Sequence, residues 1–271
     1  MLTRDTAAVV LLLSLLPASS AFAAAQNEAT GATTSTAPAG PVPRAADGHP
    51  DLTGVWWPGA DVGVANLKVG DPRDRNPWPP RPGSITSLYQ PWALELARTM
   101  GEKDDPALHC VPSVTGSGSG LVTQIVQTPK FVVELTESFH GFRLIPTERG
   151  RQHNAEAVPS YHGDAVGHWE GDTLVVDVTN FNDKNWLVSQ GAVSFHSDAL
   201  HATERWTRAD VNTLVIEQTY QDPKVLTGPW AYKRTLRLAP FDQVMEALCF
   251  NTETASLMDA AAKQNYGVQK K

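Results

Sequence analysis

The sequence predicts an all-β protein, an antiparallel barrel or, as the alternative, an open sandwich, with one clear helix and long loops. About nine short apolar or alternating runs follow one another with turn residues between them. Only one segment has helical periodicity, and strands do not alternate with helices as they do in parallel folds. The 20 glycines and 20 prolines in 271 residues suit such a turn-rich chain.

The N-terminus resembles an export signal. Arg4 precedes an apolar run from Ala7 to Leu16, and Ala21-Phe22-Ala23 forms an A-x-A cleavage site, so residues 1–23 are interpreted as a signal peptide. The apolar run is too short to span a membrane, and no later run is longer. We therefore expect a periplasmic or secreted protein without membrane insertion.

Residues 24–43 are rich in Ala, Thr, Gly and Pro and are predicted to be a disordered leader. Residues 44–271 are long enough for a single β domain. The net charge of −7 argues against nucleic acid or an anionic membrane as a partner, because both require basic patches. A small-molecule ligand or substrate is more consistent with this charge, no cofactor is assigned, and the oligomeric state stays open.

The strands are predicted from alternation and from the turn residues that bound them. The clearest hairpin has its turn at Gly171 and Asp172. The predicted strands are Leu52–Trp57, Leu121–Gln127, Phe131–Thr136, Phe142–Ile145, Val166–Trp169, Thr173–Val178, Leu200–Thr207, Leu214–Tyr220, Trp230–Leu238 and Val244–Phe250.

The one convincing helix runs from Pro91 to Thr99, with Trp92, Leu96 and Met100 on one face. Long loops are predicted from Pro58 to Gly83, from Ser113 to Gly120 and from Thr147 to Tyr161. Cys110 and Cys249 are the only cysteines. In an exported chain they are expected to form a disulfide.

The segment from Phe195 to Arg208, FHSDALHATERWTR, holds the densest group of acid-base side chains. Read with period two, its strand places His201, Thr203 and Arg205 on one face and Glu204 and Trp206 on the other. One of these faces has to bury a charge.

From this segment and its neighbours we select candidate residues for a site. Acid-base roles are assigned to His196, His201, Glu204 and Tyr161, and ligand contacts to Asp198, Arg205, Arg143 and Trp56. A metal site of two histidines with Asp198 or Glu204 is conceivable but is not assigned. The competing interpretation is that Glu204 pairs with an arginine and the histidines bind backbone. Asp177 shares a face with apolar residues and requires a partner such as Arg205 or Arg143.

Two resemblances refine the fold. Gly54-Val55-Trp56 with a late-strand arginine, Arg234 or Arg237, resembles the lipocalin-like (calycin) pattern, in which the arginine packs over the tryptophan and closes the barrel. Longer motifs are similar to a family of exported bacterial proteins of uncharacterised function: PDLTGVW at Pro50, QIVQTP at Gln124, VGHWEGDTLVVDVTNFND at Val166, HSDALHATERWTR at His196 and DPKVLTGPW at Asp222. The resemblance implies export and a lipocalin-like barrel and leaves the activity open.

Two principal functions follow. The first is an exported lipocalin-like barrel that binds a small, partly apolar molecule in its interior. The alternative is a cofactor-independent acid-base enzyme, a lyase, isomerase or hydrolase, that uses the cluster from His196 to Glu204. A structural envelope protein is a third possibility, in which the cluster would be solvated.

Overall fold

Period-two burial extends along nearly every strand, as expected when one face of a sheet packs on a core and the other meets water. The computed structural model describes residues 40–59, 76, 78–114, 122–137, 141–188 and 192–245. Within them the strands are β1 Gly54–Trp57, β2 Thr123–Gln127, β3 Phe131–Thr136, β4 Phe142–Pro146, β5 Asp164–Glu170, β6 Thr173–Thr179, β7 His201–Asp210, β8 Thr213–Gln221 and β9 Trp230–Leu238.

All nine strands belong to one antiparallel sheet in the order β4-β3-β2-β1-β9-β8-β7-β6-β5. Cα atoms of the two end strands, β4 and β5, come within 8 Å of each other, so the sheet curls into a nearly closed barrel. The predicted all-β barrel is confirmed. Non-consecutive neighbours occur only at β1, because the chain returns to pair β9 with the first strand.

The approach of β4 to β5 depends on Gly167 in β5. A Cβ atom at this position would lie 3.0 Å from Cγ2 of Ile145 in β4 and 3.1 Å from Cγ2 of Thr147. Both distances are shorter than ordinary van der Waals contacts. A larger residue at position 167 would therefore push the two end strands apart.

One end of the barrel is closed by Trp56, which is completely buried and donates from its indole Nε1 to the carbonyl of Leu52 at 2.9 Å. Gly54 has φ +149°, and a Cβ there would lie 2.8 Å from a methyl group of Leu238. The glycine of the Gly-x-Trp motif is thus needed for close packing against β9. We call this the closed end, and the opposite end the mouth.

The arginine that packs over Trp56 is Arg208 of β7. The resemblance implied Arg234 or Arg237, and neither of them takes this position. The guanidinium carbon of Arg208 lies 5.0 Å from the centre of the indole ring. The guanidinium also donates to the carbonyls of Asp51 and Val211. Arg234 is buried higher in the barrel and Arg237 is exposed, because alternation along β9 places them at other positions. Trp56 therefore belongs to the floor of the barrel.

The helix α1 spans Pro91–Ala97, close to its predicted bounds. Its buried residues are Ala93 and Ala97, whereas Trp92 and Leu96 are exposed, so the predicted apolar face is not the buried one. Small alanine side chains allow the helix to lie close to its neighbours. Single turns of 3-10 helix occur at Ile85–Leu88, Glu102–Asp104 and Pro106–His109.

Several predictions fall on residues that the structure does not describe. The signal peptide, most of the leader, parts of the loops at Pro58 and Ser113, and the chain after Met245 lie outside the described residues. Val244 and Met245 are not in a strand, which shortens the last predicted strand at its start. Cys249 also lies outside, so the disulfide stays a prediction. No helix in the described ranges has the length and apolar character needed to cross a membrane.

We predict that Trp56→Ala lowers the free energy of unfolding by about 3–5 kcal/mol, since it removes a buried aromatic ring. Arg208→Ala should cost about 2 kcal/mol through its two lost charged hydrogen bonds. Arg237→Ala, on an exposed position, is the matched control and should change stability by less than about 0.5 kcal/mol. Denaturant unfolding checks all three, and equal losses for the two arginines would contradict the assignment of Arg208 to the floor.

Candidate functional site

The pleat of β7 separates the residues that the sequence grouped together. Ala202, Glu204, Trp206 and Arg208 are buried in the barrel, and His201, Thr203 and Arg205 lie on the outer face. The division into two faces was predicted correctly. Its consequence is that His201 and Glu204 point to opposite sides of the sheet and do not share one site.

Glu204 is the centre of a charged layer inside the barrel. Arg143 of β4 binds it with two hydrogen bonds, Nη1 to Oε1 at 2.7 Å and Nη2 to Oε2 at 2.8 Å. Nη2 of Arg143 also donates to Oε2 of Glu134 on β3 at 2.8 Å. Arg234 of β9 extends the layer, with a nitrogen 3.7 Å from the other oxygen of Glu134. We call these four side chains the ionic layer.

The carboxylate of Glu204 is too well bonded to act as a base. Besides Arg143 it accepts hydrogen bonds from the indole of Trp206 at 2.8 Å and from the amide of Gln218 at 3.3 Å. Burial raises its pKa, but the charge and hydrogen bonds of Arg143 outweigh burial and hold the pKa below its usual value. The carboxylate of Glu204 is therefore ionised, and both of its oxygens accept hydrogen bonds.

The guanidinium of Arg143 is likewise held by its partners. Burial alone would lower its pKa, yet the charges of Glu204 and Glu134 raise it above the ordinary value. Its terminal nitrogens are occupied by the two glutamates, so they are not available to hold an anionic oxygen. Arg205, the other arginine predicted to contact a ligand, lies outside the barrel and pairs with Glu170 at 2.9 Å.

Around the ionic layer, several buried polar atoms have no hydrogen-bond partner. Because Gln218 donates its amide nitrogen to Glu204, which only accepts, its Oε1 is a defined acceptor. Burial, and next the charge of Glu204, raise the pKa of Tyr220, so its hydroxyl stays protonated. The atoms without a hydrogen-bond partner in and beside this layer include Thr123 Oγ1, Gln218 Oε1, Tyr220 OH and Arg143 Nε.

The mouth side of the ionic layer includes His162, which follows Tyr161 in the sequence. Burial lowers its pKa, and the positive charge of Arg143 lowers it further. His162 is therefore a neutral imidazole, and the charges of the ionic layer influence its pKa. Tyr161 lies beside it and accepts a hydrogen bond at its carbonyl from Asn185 at 3.1 Å.

His196 is buried beside the mouth, in a different place from Glu204. Its Nε2 is 3.0 Å from Asn185 Oδ1, and its Nδ1 is 2.9 Å from the carbonyl of Ser197. The amide nitrogen of Asn185 donates to Pro112 and Tyr161, so its oxygen must face the histidine. Burial lowers the pKa of His196. Asp198, next along the chain, is exposed and pairs with Lys224 at 2.6 Å.

On the outer face His201 joins a chain of titratable groups. Its Nε2 donates to Asp177 at 2.6 Å, and the second oxygen of Asp177 is 2.8 Å from Nε2 of His153. Nδ1 of His153 is 2.7 Å from Asp164. Asp177 thus pairs with two histidines and with neither of the predicted arginines.

The predicted residues therefore occupy different parts of the molecule. Glu204 and Arg143 meet in the interior, Trp56 is in the floor, His196 and Tyr161 are near the mouth, and the remaining residues, His201, Arg205 and Asp198, are on the surface. Within the described ranges no group of three or more His, Cys, Asp or Glu residues is arranged to hold a metal ion. His153 was missed because it lies in a loop without a local pattern.

Comparison of the chain with family models, with curated proteins and with solved structures finds no match. The resemblance to an exported family stays a prediction.

We predict that Glu204→Gln lowers the free energy of unfolding by about 3–5 kcal/mol, because it leaves the buried Arg143 without its principal counter-charge. Glu170→Gln, which breaks an exposed pair with Arg205, is the control and should cost less than about 1 kcal/mol. Denaturant titration of both variants measures the difference. A loss below about 1 kcal/mol at Glu204 would contradict the ionic layer as a determinant of stability.

We also predict a pH dependence from His153. Burial lowers its pKa, but hydrogen bonds to Asp177 and Asp164 outweigh burial and raise the pKa overall. The folded state therefore binds the proton more tightly than the unfolded state. The resulting stability is complete below the unfolded pKa, about 6.5, and is lost as pH rises through the folded pKa.

The variant His153→Gln should lack this fall in stability above pH ~6.5. Stability of the wild type and the variant is measured by urea unfolding at several pH values. If stability depends on pH in the same way in the wild type and in His153→Gln, the hydrogen bonds of His153 to Asp164 and Asp177 do not contribute as predicted.

Proposed function

We propose that this protein is an exported lipocalin-like barrel that binds a small molecule in its interior. The observation that supports the proposal is the set of buried polar atoms without partners beside the ionic layer. An unpaired polar group in a protein interior costs about 1–3 kcal/mol. A bound molecule with hydrogen-bonding groups would offset that cost.

The chemistry of the interior indicates the kind of molecule. The ionic layer holds two glutamates and two arginines, so its formal charge is balanced, which favours a neutral ligand. Gln218 Oε1 is an acceptor without a hydrogen-bond partner, and a donor on the ligand would satisfy it. Toward the closed end the interior is lined by apolar side chains, among them Ile125, Ile145 and Leu174. A partly apolar molecule with hydroxyl or amide groups fits both parts.

The alternative, an acid-base enzyme, is supported by different residues from those predicted. Glu204 is fully hydrogen-bonded, and His201 lies outside the barrel. His162 is a neutral imidazole and Tyr220 a protonated phenol, and both are affected by the charges of the ionic layer. A proton acceptor and a proton donor of this kind are what a cofactor-independent enzyme would use.

The test compares two tyrosine hydroxyls. Tyr220→Phe removes a buried hydroxyl without a partner, whereas Tyr89→Phe removes one that donates to the carbonyl of Phe195 at 2.9 Å. In ligand-free protein Tyr220→Phe should leave stability unchanged or raise it, and Tyr89→Phe should cost about 1 kcal/mol. Native mass spectrometry of protein purified without denaturant measures the molecule retained by each variant.

We expect the wild type and Tyr89→Phe to retain a small molecule and Tyr220→Phe to retain much less. A protein that retains nothing, together with a stability loss at Tyr220→Phe equal to that at Tyr89→Phe, would contradict the proposal. The interior would then be a packed core whose polar groups need no ligand.

A further inference from the structure

The outer face of the barrel is polar on one side and apolar on the other. On β7 and β8 the outward positions are mostly polar, among them His201, Thr203, Arg205, Glu217 and Thr219. On β2, β3 and β4 the outward positions are mostly apolar. We call five of them the outer patch: Val126, Val133, Leu135, Phe142 and Leu144.

The outer patch is continuous across its three strands. Val126 is paired with Val133 of β3, and Val133 with Leu144 of β4. In the next row Leu135 is paired with Phe142. Three of these side chains are largely in contact with water, since Phe142 is 68% exposed, Leu144 50% and Val126 37%. Single exposed apolar residues are common, but a continuous group on one face of a sheet indicates a contact surface.

The chain that follows β9 crosses the outer face from β1 to β2. Trp57 of β1 faces outward, because Trp56 beside it faces the interior. The ring of Phe241 packs edge-on against that of Trp57, with the ring centres 6.0 Å apart. Val244 then reaches β2, where its backbone N–H donates to Oε1 of Gln124 at 3.5 Å.

The outer patch is next along this path. Gln124 is paired with Leu135 of β3, and Leu135 with Phe142 of β4. Neighbouring strands are about 4.8 Å apart, so β4 lies about 10 Å beyond Gln124. An extended chain covers this distance in about three residues. The chain that continues from Val244 can therefore reach Phe142 within a few residues.

Residues 246–271 continue the chain and lie outside the described residues. Their sequence contains large apolar residues, the first of them within reach of β4: Leu248, Phe250, Leu257 and Met258. The segment thus supplies apolar side chains at the distance from Val244 that the outer patch requires.

We propose that the outer patch is the docking surface for the protein's own C-terminal segment, residues 246–271. In this arrangement Leu248 and Phe250 cover Phe142 and Leu144 and remove apolar surface from water. The segment is attached beside the patch, so its docking is intramolecular and avoids the loss of translational freedom that binding a second copy of the chain involves. The docking is outside the barrel and does not depend on an interior ligand.

Limited digestion of the full chain with chymotrypsin tests the docking. Chymotrypsin cleaves after large apolar residues, so cleavage after Phe250 requires that this side chain leaves the outer patch. The cleavage rate, followed by mass spectrometry, measures the undocked fraction. We expect Phe142→Ser and Leu144→Ser each to raise the rate at Phe250 by about fivefold, because each removes an apolar contact of the docked segment.

The matched control is Val158→Ser, since Val158 is 84% exposed but lies in a loop outside the outer patch. It should leave the rate at Phe250 within about twofold of wild type. Cleavage after Leu174, buried in β6, should be equally slow in every variant, which separates release of the segment from loss of the fold.

Rates are compared at two protein concentrations about tenfold apart and should not differ, because docking within one chain does not depend on concentration. Equal rates at Phe250 in the wild type and in Phe142→Ser would overturn the proposal. A wild-type rate that rises on dilution would overturn it as well, since a second copy of the chain would then cover the outer patch.

Discussion

The salt bridge between Arg143 and Glu204 is the interaction on which the barrel depends. Strand β4, which carries Arg143, is one end of the hydrogen-bonded sheet, and β7 is the third strand from the other end. Glu204 is paired with Val176 of β6, which is paired with Gly167 of β5, so only these two residues separate Glu204 from the edge of the sheet next to β4. The bidentate salt bridge therefore crosses the seam, the gap between the end strands β4 and β5. The guanidinium of Arg143 links the two ends of the sheet. Two charges buried at this place are costly unless both are paired, which couples closure of the barrel to correct placement of both strands.

Closure at the floor uses a second arginine in a different way. Arg208 covers the ring of Trp56 and donates to two backbone carbonyls, Asp51 and Val211, and the charges of Asp51 and Asp210 also act on it. Burial lowers the pKa of Arg208, in contrast to the raised pKa of Arg143. Arg143 is thus stabilised by counter-charges inside the barrel, and Arg208 by hydrogen bonds and an aromatic ring at its end. The same side-chain type closes the seam and the floor through different physical interactions.

Local chemistry in the sequence was sufficient for much of the fold. The hairpin turn at Gly171, the start of α1 at Pro91 and the two faces of β7 follow from backbone preferences and from the pleat, which operate over a few residues. Pairings such as Arg143 with Glu204 join residues 61 positions apart, and no local pattern specifies them. The group of His196, His201 and Glu204 was proposed from proximity in sequence, although the parity of the strand already separated His201 from Glu204. His153 and His162 are placed by loops, whose paths depend on the barrel that they cover.

The balance of charges in the interior bears on the proposed ligand. The two glutamates and two arginines of the ionic layer pair with one another. A cation would gain little by entering the interior, because the glutamates there already have arginine partners and desolvating a charge is expensive. A neutral molecule is favoured, since Gln218 Oε1 and the hydroxyl of Tyr220 have no hydrogen-bond partner beside the ionic layer. The proposed interior site would therefore select against charged ligands.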